Sequence, residues 1–121
     1  MKTMLIVDDS AYSRTLIKQA LTKLNVKIIG EAENGKEGVE KYIKLVPDIV
    51  TMDLSMYDGD GLEALKGIME VNSNAAVVVI SSIGGQELIV EEALKLGAKK
   101  VFDKPLNNEK FAQYLKETWS V

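Results

Sequence analysis

Five polar side chains could carry chemistry together, although they lie far apart along the chain. Asp8 and Asp9 close the run LIVDD, Asp53 closes IVTMD, Ser81 follows VVVI, and Lys104 stands just before Pro105. If the three carboxylates share one crevice, mutual repulsion raises the pKa of at least one of them unless a cation neutralises the charge. Oxygen ligands without Cys or His suit a hard divalent ion, and a few carboxylates completed by water suit Mg²⁺ better than a full calcium cage. Lys104 would add a second positive charge. A carboxylate beside a metal and an ammonium is an environment for receiving a phosphoryl group: the cations neutralise its equatorial oxygens, and Ser81 donates a hydrogen bond to one of them. An aspartate is a competent nucleophile in such a place and yields a labile acyl phosphate.

Composition removes the main competing chemistries. The chain of 121 residues has no Cys and no His. Disulfides, thiolate catalysis, zinc–sulfur sites, Ser–His triads, imidazole ligands and phosphorylation on a histidine of this chain are therefore excluded. A net charge of −3 lacks the basic field that draws proteins to nucleic acid or anionic lipid. Apolar residues make up 46% and charged residues 27%, a globular balance. No apolar run approaches the ~20 residues needed to span a bilayer, and the start MKTMLIVDDS is unlike a signal peptide. The expectation is a cytoplasmic protein.

The elements that must position these groups are legible in the hydrophobic period. Short apolar runs occur at Met4 to Val7, Val26 to Ile29, Ile49 to Met52, Ala75 to Ile80, and weakly at Val101 and Phe102. Continuous Val/Ile-rich runs read as strands buried on both faces, whereas the run interrupted by Lys27 reads as an edge strand. Between them lie helical stripes: Leu16, Ile17, Ala20, Leu21 and Leu24, then Val39, Tyr42, Ile43 and Val46. Asn34 with Glu37 has capping-box spacing, Glu37–Lys41 and Glu40–Lys44 are supporting pairs, and Pro47 stops the helix. Asp60 and Glu63 repeat the capping spacing before Leu62, Leu65 and Met69. Ile89, Ala93 and Leu96 mark a fourth helix closed by Gly97, and Asn107 opens a fifth carrying Phe111, Tyr114, Leu115 and Trp119.

Five βα units in succession imply an α/β fold: a doubly wound, five-stranded parallel sheet with right-handed crossovers. Residues 1–121 are expected to form one domain. In such sheets functional groups gather beyond the carboxyl ends of the strands, which is where Asp8, Asp9, Asp53, Ser81 and Lys104 fall.

From LIVDDS through PDIVTMDLSMYDGDG and VVVISS to GAKKVFDKP, the chain resembles the response-regulator receiver domain, in particular its single-domain, CheY-type chemotaxis members. The resemblance implies the flavodoxin-like (βα)5 fold with strand order 2-1-3-4-5. It implies that Asp53 accepts phosphate from a histidine kinase, with Mg²⁺ held by Asp8, Asp9, Asp53 and the backbone carbonyl of Ser55. By the same resemblance Ser81 is the hydroxyl that moves toward the phosphoryl group, Lys104 pairs with that group, and the Lys104–Pro105 bond is cis. The protein would then be a switch and not an enzyme acting on a free substrate. It would act as a monomer with no output domain, docking a protein target such as a flagellar switch or a phosphotransfer protein through Val90, Leu94, the neighbouring loop and the last helix. Two positions depart from the family pattern: Tyr57 replaces a usual Pro, and Val101 replaces a common aromatic. Output would then rest on the loop with Ile83, Gly84 and Gly85 and on the fourth helix.

Each residue also has a plain structural reading. Asp8, Asp9 or Ser10 can cap the first helix, Asp58 and Asp60 suit turn and cap positions beside Gly59 and Gly61, and Ser82 suits a small loop residue. Lys99 and Lys100 suit a solvated turn. Two other functions share parts of the pattern. A Mg²⁺-dependent phosphatase with an aspartate nucleophile usually adds a separate acid/base and a cap, and there is no His to serve as the former. A flavodoxin-like electron carrier needs a phosphate-cradling loop after the first strand, where Asp8 and Asp9 would repel a phosphate.

Overall fold

The structure is a computed structural model that describes residues 1–56, 61–82 and 86–121. Five strands and five helices alternate: β1 (Lys2–Val7), α1 (Ala11–Ala20), β2 (Val26–Ala32), α2 (Gly35–Leu45), β3 (Ile49–Met52), α3 (Gly61–Val71), β4 (Val77–Ser81), α4 (Glu87–Leu96), β5 (Lys100–Asp103) and α5 (Asn108–Trp119). All strand pairs are parallel and the order is β2-β1-β3-β4-β5. The doubly wound sheet with strand order 2-1-3-4-5 is thus the observed fold.

Alternation along the inner strands assigns side chains to two cores. Leu5, Val7, Val50, Met52, Val77 and Val79 face α2, α3 and α4, where Tyr42, Leu65, Ile68 and Ala93 complete one cluster. Met4, Ile6, Ile49, Val78 and Ile80 face α1 and α5 and pack against Ile17, Leu21, Phe111 and Leu115. Strands covered on both faces lose their polar face, which is why these runs are continuously apolar. The edge strands β2 and β5 are less buried and keep Lys27, Lys100 and Asp103 exposed.

Caps fix where most helices begin and end. The side chains of Ser10, Asn34 and Asn107 accept from the backbone N–H three residues on, each satisfying a donor that the first turn leaves unpaired. Ser10, and not Asp8, therefore caps α1. Gly97 ends α4 in the left-handed region at φ 117°, where a side chain would be strained. Several boundaries move from expectation. α1 stops at Ala20 because Leu21 N–H bonds Lys18 O, tightening the end, so Leu24 packs onto the core from the following turn. β1 starts at Lys2 because its first residues pair with Val26 and Lys27. Ala75 lies in a turn bonded to Asn72, and β4 starts at Val77. Lys100 belongs to β5, paired with Val78, and not to a turn. The expectations for Tyr57, Asp58, Gly59 and Asp60, and for Ile83, Gly84 and Gly85, lie outside the described residues.

The first turn of α3 is pressed against the chain that leaves β3. A Cβ at Gly61 would sit 2.3 Å from Leu54 Cα and 2.5 Å from the Asp53 carbonyl oxygen. These are backbone atoms and cannot swing aside. Gly61→Ala is expected to lower unfolding stability by about 1–3 kcal/mol, as overpacking does. Urea denaturation measures this, and a midpoint equal to the wild type would show that the Asp53–Leu54 backbone yields freely.

Candidate metal and phosphoacceptor site

Four strands each deliver one polar group to the same end of the sheet. Asp8 follows β1, Asp53 follows β3, Ser81 ends β4 and Lys104 follows β5. The sheet reverses its winding between β1 and β3, and a crevice forms there. Asp8 N–H bonds Ala32 O at 2.9 Å, Asp53 N–H bonds Val7 O at 3.0 Å, and Lys104 N–H bonds Ser81 O at 3.1 Å. Each functional residue is thereby fixed by a bond that continues the ladder one step past its strand.

The side chains converge. One carboxylate oxygen from each of Asp8, Asp9 and Asp53 lies within 4.8 Å of the others. Asp8 and Asp53 are buried at 1% and 3% exposure, whereas Asp9 is exposed. Lys104 Nζ stands 2.9 Å from Asp8 Oδ2 and 3.1 Å from Asp53 Oδ2. The Ser81 hydroxyl, fully buried, donates to Asp53 Oδ1 at 2.8 Å. It also accepts the backbone N–H groups of Leu54 and Ser55, both at 3.1 Å. Ser55 N–H donates to Asp53 Oδ1 at 2.8 Å, and Ser55 Oγ lies 2.6 Å from Ser81 Oγ. The Lys104–Pro105 peptide bond is cis.

Charge and burial pull against each other here. Burial of the Asp8 carboxyl pushes its pKa above the ordinary value, and bonds from Ser10 N–H and Lys104 only partly offset this. Burial also works against the Lys104 ammonium, but Asp8 and Asp53 together outweigh it and hold the lysine above its ordinary value. A hard divalent cation fits this donor set. All ligand atoms are carboxylate oxygens, two of the three are withdrawn from water, and one borders solvent from which aqua ligands can be drawn.

The structure brings Asp8, Asp9, Asp53, Ser81 and Lys104 into one cluster, with Ser55 at its edge. Val101 packs against the α2–α4 core while Phe102 turns to the other face, edge-on to Phe111 at 5.5 Å and to Tyr114 at 5.6 Å. Two contributors had no signal in the sequence. Ser13 accepts a bond from Lys104 Nζ at 3.2 Å, and Arg14 Nη1 donates to the Asp8 carbonyl at 2.7 Å. Both sit in the first turn of α1, where hydroxyl and basic residues are ordinary. Only the proximity of that turn to the end of β1 hints at a role.

The profile of the family described as response regulator receiver domain matches residues 4–116. Chemotaxis protein CheY of Thermotoga maritima is 44% identical over 114 residues, covering 94% of each chain. Chemotaxis protein CheY of Bacillus subtilis is 39% identical over 114 residues, again 94% of each chain. Among solved structures, the CheX-CheY-BeF3-Mg complex of Borrelia burgdorferi superposes with a TM-score of 0.90 at 38% identity, covering 98% of this chain and 89% of that one.

The direction of the Asp8 shift gives a pH dependence. A folded pKa above the unfolded one means that this group's contribution to stability is fully present below the unfolded pKa and is lost as pH rises through the folded value. Metal-free protein is therefore expected to show an Asp8 ¹³C carboxyl midpoint above that of an unstructured Asp. Asp8→Asn is expected to flatten the fall of stability with rising pH in that window. A midpoint at or below the ordinary value would contradict the burial assigned to Asp8.

Proposed function

The chain belongs to the response regulator receiver domain family, and from that premise we propose that it is a chemotaxis signalling switch thrown by phosphorylation of Asp53. The observation that carries this reading is a single cluster in which a buried carboxylate accepts bonds from a lysine ammonium and a serine hydroxyl, with two more carboxylates beside it. Asp8, Asp9 and Asp53, with the Ser55 carbonyl, would hold Mg²⁺. When bound, that ion supplies the divalent charge that draws in the donor's phosphoryl oxygens and offsets the carboxylates.

The residues of the chain do the rest. Asp53 presents a carboxylate oxygen to the donor phosphorus. An O–P bond forms as the P–N bond of a kinase phosphohistidine breaks, and the electron pair stays on the imidazole nitrogen, which takes a proton from water. Lys104 Nζ, already 3.1 Å from Asp53 Oδ2, pairs with the phosphoryl oxygens. The Ser81 hydroxyl turns from the carboxylate to a phosphoryl oxygen. The added group carries roughly −1.5 to −2 charge, a differential interaction that shifts an existing equilibrium at the end of β4 and in α4. Because Ser81 is the last residue of β4, its movement is transmitted directly to the chain that leads into α4. Val101 is too small to act as a rotating ring, so the signal leaves by that route.

The target is a protein. Leu94 is 46% exposed and Leu88 80% exposed on α4, and with Val90 and α5 they form the docking face for a flagellar switch or a phosphotransfer protein. No helix among the described residues is long and apolar enough to cross a membrane.

Incubation with acetyl phosphate and Mg²⁺, followed by intact-mass measurement, is expected to show one added phosphoryl group in the wild type. Asp53→Asn is expected to show none, and chelation of Mg²⁺ to abolish uptake. Equal uptake by Asp53→Asn would remove Asp53 from the acceptor role.

A further inference from the structure

We infer that Arg14 is a positioning residue for the acidic pair Asp8–Asp9, locking the peptide group between them in the orientation that cation binding requires. The inference rests on the metal-site reading above. Arg14 lies in the first turns of α1, its side chain only 12% exposed, and it is clamped from two sides. Its Nε bonds Glu31 Oε1 at 3.0 Å while its Nη1 donates to the Asp8 carbonyl oxygen at 2.7 Å. Glu31, near the end of β2, is held in turn. Lys18 Nζ lies 2.7 Å from its second carboxylate oxygen, and Lys41 Nζ bonds its backbone carbonyl. The bond from Lys18, with that from Arg14, outweighs burial and holds the Glu31 carboxyl below its ordinary pKa, so it stays a firm anchor for the guanidinium.

That geometry fixes more than one residue. The Asp8 carbonyl and the Asp9 N–H belong to the same planar peptide, so holding the carbonyl sets the plane from which the Asp9 side chain departs. Asp8 is already held at its N–H by Ala32 O and at its carboxylate by Ser10 N–H and Lys104. The Arg14 bond constrains the remaining polar group of Asp8. A planar guanidinium can bond Glu31 and the carbonyl at once because its donors diverge at fixed angles, whereas a lysine ammonium on a flexible stem cannot span both in the same way. The chain therefore carries a strut running from the edge strand β2, through α1, to the acidic turn.

Positioning and bare electrostatics make opposite forecasts. Arg14 is a positive charge near an anionic cluster, so if charge were all that mattered, removing it would tighten cation binding. Positioning requires the reverse, since partners that orient metal ligands typically cost 10–100-fold in affinity when lost. Mg²⁺ titration by calorimetry of the full chain is the test, with circular dichroism in chelator to establish that each variant is folded. Arg14→Lys, which keeps the charge and loses the fork, is expected to weaken Mg²⁺ binding about tenfold, and Arg14→Ala at least as much. The Asp9 amide ¹⁵N resonance, which senses the bond to its peptide carbonyl, is expected to shift in both. Arg14→Lys binding within about twofold of the wild type, or Arg14→Ala binding more tightly, would overturn the inference, since loss of a ligand-orienting partner ordinarily costs far more. Absence of Mg²⁺ binding by the wild type itself would instead remove the metal-site reading on which this one stands.

Discussion

The Lys104 ammonium, wedged between the carboxylates of Asp8 and Asp53, is the interaction on which the rest of the site depends. Buried charges without partners are costly, and removing one member of such a set leaves an uncompensated charge. The lysine supplies the compensation and reaches the crevice from β5, the strand farthest from β2. Its reach across the sheet explains why residues separated by 96 positions in the chain behave as one group. A third carboxylate, that of Asp9, has an oxygen within 4.8 Å of oxygens on the two that Lys104 bonds. Such a set of carboxylate oxygens could hold a divalent cation.

Around that ammonium the strand ends are held in two ways. The backbones of Asp8, Asp53 and Lys104 continue the sheet's hydrogen-bond ladder. Ser81 is different. It is the last residue of its strand, and its hydroxyl gathers the Leu54 and Ser55 amides and the Asp53 carboxylate into one network. Anything bonded to Asp53 competes for that hydroxyl, which already bonds the carboxylate and two backbone amides. Gly61 closes the arrangement from below, since only a residue without Cβ lets α3 approach the Asp53–Leu54 backbone so closely.

Much of this was legible in the sequence, for reasons that are specific. A strand buried on both faces is apolar or nearly so, so VVVI and IVTM announce themselves even with Thr51 buried in the second. The polar residue at the end of each run falls at the carboxyl end of its strand. Asn34 and Asn107 were visible as caps because cap chemistry is local. Element ends were less so. Leu24 shares the apolar stripe of α1 yet lies beyond its end, since period reports which face is buried and not where the backbone stops being helical. Ser13 and Arg14 were invisible because their roles depend on which strand end α1 happens to start beside, a tertiary fact without a pattern of its own. The convergence of Asp8, Asp9 and Asp53 followed from strand order, whereas the placement of Lys104 on both buried carboxylates did not.

A crystal structure grown with Mg²⁺ and beryllofluoride bears on the central claim most directly. One ion is expected in contact with the carboxylates of Asp8, Asp9 and Asp53, with the beryllofluoride on the Asp53 carboxylate and within bonding distance of Lys104 Nζ and Ser81 Oγ. Density for the ion away from these side chains, or an Asp53 carboxylate left bare at saturating beryllofluoride, would contradict it.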